Sequence, residues 1–163
     1  MNAPGQGHEL WITTPNDLEV MMTRVFDAPA ALVFEAYTRA EHLQRWLRGA
    51  EGWTMPICEV DVRPGGAYRF VWERPNGKRL EVSGEYREVV PPVRLVMTEA
   101  WGADWPVIVN TLTFADTAAR TTLTNTMRFP SQAARDAGLA TGMERGSRYA
   151  FDRLDGHLAE MAG

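Results

Sequence analysis

The sequence predicts an α+β domain in which one antiparallel sheet of about seven strands is covered by a long C-terminal helix. Three observations predict it. Ser131–Met161 holds no proline and repeats Leu139, Met143, Ala150, Leu154, Leu158 and Met161 at steps of three, four or seven, one apolar stripe on a helix. From Ile57 onward the pattern changes to a period of two, the signature of half-buried strands. The strand runs are joined by hairpin-length turns, which connect antiparallel neighbours; parallel strands need longer crossovers.

Met1–Pro15 carries Gly5, Gly7 and two prolines with little to bury, so residues 1–16 read as a flexible leader and residues 17–163 as a single domain. Leu10, Trp11 and Ile12 are the part of the leader able to dock on the body. Leu18–Phe26 is a first strand. Asp27-Ala28-Pro29 ends it, with Asp27 as a cap and proline suited to the first turn of a helix. Two short helices follow: Ala30–Tyr37, burying Leu32, Val33, Ala36 and Tyr37, and Ala40–Leu47, presenting Leu43, Trp46 and Leu47.

Arg48–Pro56 is a loop. Ile57–Arg63 alternates Cys58, Val60 and Val62 with charged residues, and Pro64-Gly65-Gly66 turns the chain. Ala67–Glu73 sets Tyr68, Phe70 and Trp72 on one face. Pro75-Asn76-Gly77 is a strong hairpin turn to Leu80–Val90. Pro91-Pro92 breaks that strand; Val93–Trp101, Val107–Phe114 and Arg120–Phe129 complete the sheet, with a tip at Gly102–Pro106 and a turn at Asp116-Thr117. Ser131 is the expected N-cap of the last helix. Ala134, Gly138, Gly142, Gly146 and Ala150 recur four apart along it, and an interior helical glycine costs about 1 kcal/mol against alanine. Such a bare ridge either packs tightly on the sheet or forms one wall of a cavity.

Composition excludes several classes. The chain has 163 residues, 45% of them hydrophobic and 23% charged, with a net charge of −4, as an ordinary globular domain does. Its 17 basic side chains are scattered, so neither nucleic acid nor a membrane surface is an expected partner. No apolar run approaches the roughly 20 residues of a spanning helix, and no secretory signal opens the chain. The single cysteine, Cys58, excludes an internal disulfide and suits a reducing cytoplasm.

Few residues point to reaction chemistry. His8, His42 and His157 have no second ligand at metal spacing, so no metal is expected. Cys58 shares the apolar parity of its strand and reads as an inert buried thiol. Nucleophile-elbow and phosphate-loop motifs are absent, and no cofactor is expected. Strand parity supplies a subtler signal. Glu99 shares a face with Val93, Leu95, Met97 and Trp101; Asn110 with Ile108, Leu112 and Phe114; Asn125 with Leu123, Met127 and Phe129. Polar groups on inward faces need partners or cost about 1–3 kcal/mol each, so they either line a cavity or sit at strand ends where parity flips. Trp46, Trp53, Trp101 and Trp105 fall in or beside loops, where they frame a rim or pack in the core; Tyr68 and Trp72 belong to the sheet.

Several segments resemble one family. Arg24-Val-Phe-Asp-Ala-Pro-Ala-Ala-Leu-Val-Phe-Glu-Ala-Tyr-Thr38 followed by Glu41-His-Leu-Gln-Arg-Trp46 is similar to the opening of the START-like (SRPBCC) superfamily. Asp61-Val-Arg-Pro-Gly-Gly66, Gly84-Glu-Tyr-Arg-Glu-Val-Val-Pro-Pro92 with Arg94-Leu95, and Thr141-Gly-Met-Glu-Arg-Gly146 leading to Tyr149 and Asp152-Arg-Leu154 agree. The closer likeness is to the bacterial branch named for homology to the activator of the heat-shock-protein-90 ATPase. The resemblance implies a helix-grip (START/Bet v 1-like) fold, a curved sheet wrapped around the C-terminal helix with an apolar cavity between them. Two departures stand out. Trp46-Leu47-Arg48-Gly49 replaces the branch's paired tryptophans and Gly-Pro, and residues 1–17 lack the asparagine-rich activation motif of the eukaryotic co-chaperones.

The resulting expectation is a cytoplasmic binder of a hydrophobic or aromatic small molecule, with no catalytic residue. Its aromatic and sulfur-bearing lining is Trp46, Phe70, Tyr86, Trp101, Met97, Met127 and Met143. Glu99, Asn110 and Asn125 supply polarity, and Leu112 and Gly146 complete the wall. The alternatives are a cyclase- or hydrolase-type enzyme using Glu99 or another cavity carboxylate and a chaperone-associated protein of the stress response. A homodimer through a sheet face or edge is compatible with each.

Overall fold

A computed structural model describes residues 9–163. His8 and the first part of the expected leader lie outside the described residues. The remainder of that leader is a strand. Trp11–Asn16 (β1) pairs antiparallel with Glu19–Phe26 (β2), Trp11 opposite Thr23 and Ile12 opposite Met22. Leu10 is buried beside it. Thr13, Thr14 and Pro15 hide the strand pattern, yet an edge strand tolerates proline because its outer side has no ladder to complete. The Asn16 side chain accepts from the Leu18 N–H at 2.9 Å and closes the turn.

The helices Ala30–Thr38 (α1) and Ala40–Trp46 (α2) follow, separated by extended Arg39. Pro29, not Asp27, is the N-cap of α1; Asp27 instead accepts from Arg120 at 2.7 Å. The strands Thr54–Val60 (β3), Ala67–Glu73 (β4), Arg79–Val90 (β5), Arg94–Glu99 (β6), Ile108–Thr117 (β7) and Arg120–Arg128 (β8) then complete the sheet. All neighbours are antiparallel, in the order β1-β2-β8-β7-β6-β5-β4-β3. This eight-stranded sheet exceeds the expected count by β1. β3 starts earlier than its alternation suggested, because it too is an edge strand and carries Pro56 without loss.

The last helix departs most from expectation. Ser131 caps it as foreseen, its hydroxyl accepting from the Ala134 N–H at 3.1 Å. The expected single helix is two: Gln132–Ala140 (α3) and Met143–Ala162 (α4). Gly142 sits between them at φ 83°, a left-handed conformation that interrupts the helical ladder and that glycine adopts without steric cost. The four-residue glycine spacing therefore combines unlike sites. Gly138 is buried, with room for no side chain beside the Phe129 ring; Gly142 is a break; Gly146 is exposed.

The concave face of the sheet and the inner face of α4 make the core. Phe26, Phe114, Leu95, Leu123 and Leu154 are all 2% exposed or less. Arg24 is buried among them at 3% and reaches across to α4, where it donates to Asp152 at 2.8 Å and to Asp155. Burial of a guanidinium is tolerable only with carboxylates and hydrogen bonds in place. Gly84 lets β5 and β6 close on each other: a Cβ there would lie 2.0 Å from the Thr98 carbonyl oxygen. The β5–β6 register shifts just beyond it, between Tyr86 and Glu88.

Candidate functional site

Burial along the concave face is uneven, and the unevenness locates the site. At one end Leu95, Leu112, Phe114 and Leu123 are sealed under α1 and the second half of α4. Farther along the same inward faces Met97, Glu99 and Trp101 stay partly exposed, and so does Asn125, which stands opposite the buried Leu112. α4 shows the matching trend. Phe151, Leu154, His157 and Leu158 are its buried residues; none of residues 143–150 is buried. A side chain added at Gly146 would meet nothing within 4 Å. The first two turns of α4 are thus partly or fully exposed, and with the partly exposed stretch of β6–β8 they mark the candidate hollow, bounded by Met143.

A polar cluster occupies the floor. Glu99 Oε2 accepts from the Trp101 indole N–H at 2.6 Å, and Oε1 accepts from the Asn110 amide at 2.9 Å. Burial pushes the Glu99 carboxyl above the usual range, and these two hydrogen bonds pull partly back. Among the described residues no cationic side chain pairs with it. Asn110 is 3% exposed and its Oδ1 has no partner; the buried Oδ1 of Asn125 has none either. Asn110 stands opposite Met127 and Asn125 opposite Leu112, so the two amides are diagonal neighbours on one face.

An aromatic wall rises beside the cluster. Trp101 stacks on Trp72 with ring centroids 5.7 Å apart and planes at 16°. Phe70 meets Trp72 edge-on at 6.0 Å, and Tyr68 lies 5.0 Å from Phe70 and 5.6 Å from Tyr86. The polar ends of this wall are tied down: Trp72 donates to the Leu47 carbonyl at 2.6 Å and the Tyr68 hydroxyl to the Thr98 carbonyl at 2.5 Å. Burial raises both the Tyr68 and the Tyr86 phenol pKa, so each remains a neutral hydroxyl.

The sequence-predicted lining therefore divides. Met97, Glu99, Trp101, Asn125 and Met143 border the hollow with partial exposure, and Asn110 and Met127 lie beneath it. Phe70, Tyr86 and Leu112 are sealed wall. Trp46 is neither rim nor lining. It is 1% exposed, donates to the Ala36 carbonyl at 2.9 Å and packs on Tyr37, so it locks α2 to α1. Gly146 borders the opening without lining a closed wall. Trp105 is 43% exposed at the β6–β7 tip. Desolvation raises the half-buried Cys58 thiol to about 11, leaving it protonated and unreactive at neutral pH.

Two features escaped the sequence reading. His42 and His157 meet, 115 positions apart in the chain. A second cleft of about 540 Å³ lies outside the hollow, between the α2–β3 loop and the flank of α4. Arg48, Trp53, Tyr149 and Arg153 line it, and Arg153 donates to the Gly49 carbonyl at 2.5 Å. The four-residue spacing of Tyr149 and Arg153 put them on one helix face, but no local signal showed which loop would face them. Among the described residues no three His, Cys, Asp or Glu side chains gather as a metal site requires. No helix among them is long and apolar enough to cross a membrane.

A curved antiparallel sheet around a C-terminal helix, with two short helices after an early strand, defines a helix-grip protein. The chain belongs to the family described as Activator of Hsp90 ATPase homolog 1-like protein, whose profile matches residues 27–159. A crystal structure of a Rhodobacter sphaeroides protein is similar at 28% identity and a TM-score of 0.88, covering 93% of this chain and 99% of that one. A Nitrosomonas europaea protein matches at 25% identity and a TM-score of 0.81, over 91% of this chain and 99% of that one. A Mycobacterium smegmatis structure shares the fold at 21% identity and a TM-score of 0.81, over 91% and 96%. No curated protein shows a significant match.

Proposed function

We propose that this protein binds a hydrophobic or aromatic small molecule in the hollow between the sheet and the first turns of α4. The observation that carries the reading is the partial exposure of Met97, Glu99, Trp101, Asn125 and Met143 on faces that elsewhere form a sealed core. Apolar surface left facing such a recess is stabilised by a guest that excludes water from it. The polar cluster fixes orientation: Glu99 already accepts two hydrogen bonds, and the nearby Tyr68 phenol is held by the Thr98 carbonyl and kept neutral by burial.

The test is uptake of an uncharged fluorescent probe, N-phenyl-1-naphthylamine, by the wild type and by Asn125→Phe, which sets a ring on the floor of the hollow. Saturable uptake of one probe per chain, lost in a variant that still melts cooperatively, supports the reading. Absence of saturable uptake, or uptake unaltered in Asn125→Phe, removes it.

A further inference from the structure

We propose that the cleft between the α2–β3 loop and α4 binds a small molecule joining an aromatic ring to an anionic group, a carboxylate or a phosphate. This site is separate from the hollow, and the proposal does not depend on the function proposed there. Its volume of about 540 Å³ falls among those of pockets that take metabolites. The loop supplies Arg48, Glu51 and Trp53 to one wall, and the flank of α4 supplies Tyr149 and Arg153 to the other. The loop is held in shape. Gly49 has φ 87°, and a Cβ there would lie 2.8 Å from the Trp53 ring, so that ring packs against bare backbone. The Trp53 N–H donates to the Ala50 carbonyl at 3.0 Å, and Arg153 Nη1 ties the Gly49 carbonyl to α4.

Charge assigns the ligand. Among the described residues Arg48, Arg74 and Arg153 pair with no carboxylate. Arg48 lines the cleft with no hydrogen-bond partner among them either. Arg153 spends Nη1 on Gly49 and lies over the Tyr149 ring, 4.6 Å from its centroid. Arg74 lies over the Trp53 ring at 5.0 Å and adds its charge from outside the lining. A guanidinium held over a ring keeps its in-plane N–H donors for the oxygens of a carboxylate or phosphate. On a chain of net charge −4 this is a local excess of cation, opposed in the lining by Glu51 alone. A neutral guest would leave the guanidiniums without a counter-ion. An anion carrying a ring meets both these donors and Tyr149, which is 40% exposed.

Calorimetric titration at pH 7 and low salt with 2-naphthoate, 2-naphthyl phosphate and the uncharged 2-naphthamide tests it. At least one anion should bind once per chain, about tenfold tighter than the amide, and lose that margin in Arg48→Gln. Arg48 holds no other group in place, so this variant keeps the fold and is the decisive one. Glu51→Gln removes the opposing charge and should tighten anion binding by about two- to threefold. Asn125→Phe should leave anion binding in place, because the hollow is a different site. Binding of either anion on these terms supports the proposal, and the tighter of the two names the anionic group. Equal affinity for anions and amide, a margin unaltered in Arg48→Gln, or no binding of either anion overturns it. So does anion binding that is lost in Asn125→Phe, which would put the probe in the hollow and leave the function proposed there standing.

Discussion

His42 Nδ1 lies 2.8 Å from His157 Nε2, joining α2 to α4 through a hydrogen bond between two imidazoles. Such a bond needs one ring to donate and the other to keep a bare lone pair, so the pair holds at most one extra proton. His157 is 8% exposed. Burial depresses its pKa from the ordinary 6.5, the facing His42 adds to the depression, Arg45 adds a little more, and Glu160 opposes it. Glu35 stands 3.9 Å from the outer nitrogen of His42.

Stability should fall as the solution is acidified through this window. A base with a lowered folded-state pKa binds fewer protons folded than unfolded, so its contribution is present above 6.5 and lost as pH drops toward the folded value. Urea midpoints measured from pH 8 to pH 5 should decline in the wild type and decline less in His157→Gln. Parallel curves for the two proteins would show that the pair does not couple to folding.

Glu99 should run in the opposite sense. Its folded-state pKa is raised, so the neutral form is favoured by folding and stability is lost as pH rises from 4.5 through the raised value. Glu99→Gln keeps the shape, still accepts from Trp101, and removes the ionisable group. The variant should be more stable than the wild type at pH 7, visible as a higher melting temperature, with the gain vanishing below pH 4.5.

Three glycines spaced four apart should respond differently to alanine. Gly138→Ala places Cβ 2.8 Å from the Phe129 ring and should cost about 1–3 kcal/mol through overpacking. Gly142→Ala keeps open space but must hold φ near 83°, at a cost of about 1–2 kcal/mol. Gly146→Ala, exposed inside α4 with nothing nearby, should stabilise by up to about 1 kcal/mol through helix propensity. Chemical denaturation of the three variants checks the order.

Arg24 and its partners should be unequal. Arg24→Ala takes a buried cation away from Asp152 and Asp155 and opens the core, costing about 3–5 kcal/mol. Asp152 is 72% exposed, and Asp152→Ala should cost less than about 1 kcal/mol because Asp155 remains to neutralise the guanidinium.

The sheet was legible because its turns announce themselves: Asn76-Gly77 and the short links of β6–β8 leave one pairing pattern, and strand parity placed Glu99, Asn110 and Asn125 on the inner face. What was illegible depends on three-dimensional facts without a local signature. A glycine at four-residue spacing looks the same whether it lines a ridge or breaks a helix, so the α3–α4 junction passed unnoticed. Trp46 beside a loop resembles a rim residue until its indole is seen to donate to Ala36. The histidine pair joins elements far apart in the chain, and β1 is masked by its threonines and proline.

The Arg24 bridge also bears on the order in which the protein is made. Its cation leaves the ribosome early in β2, while Asp152 and Asp155 emerge more than a hundred residues later. Until they do, the guanidinium must stay in water, and β2 cannot settle into its final layer even though β8 is already available to pair with it. Completion of the fold is thereby deferred until α4 has emerged, and a nascent protein stalled before α4 would keep its sheet open to solvent.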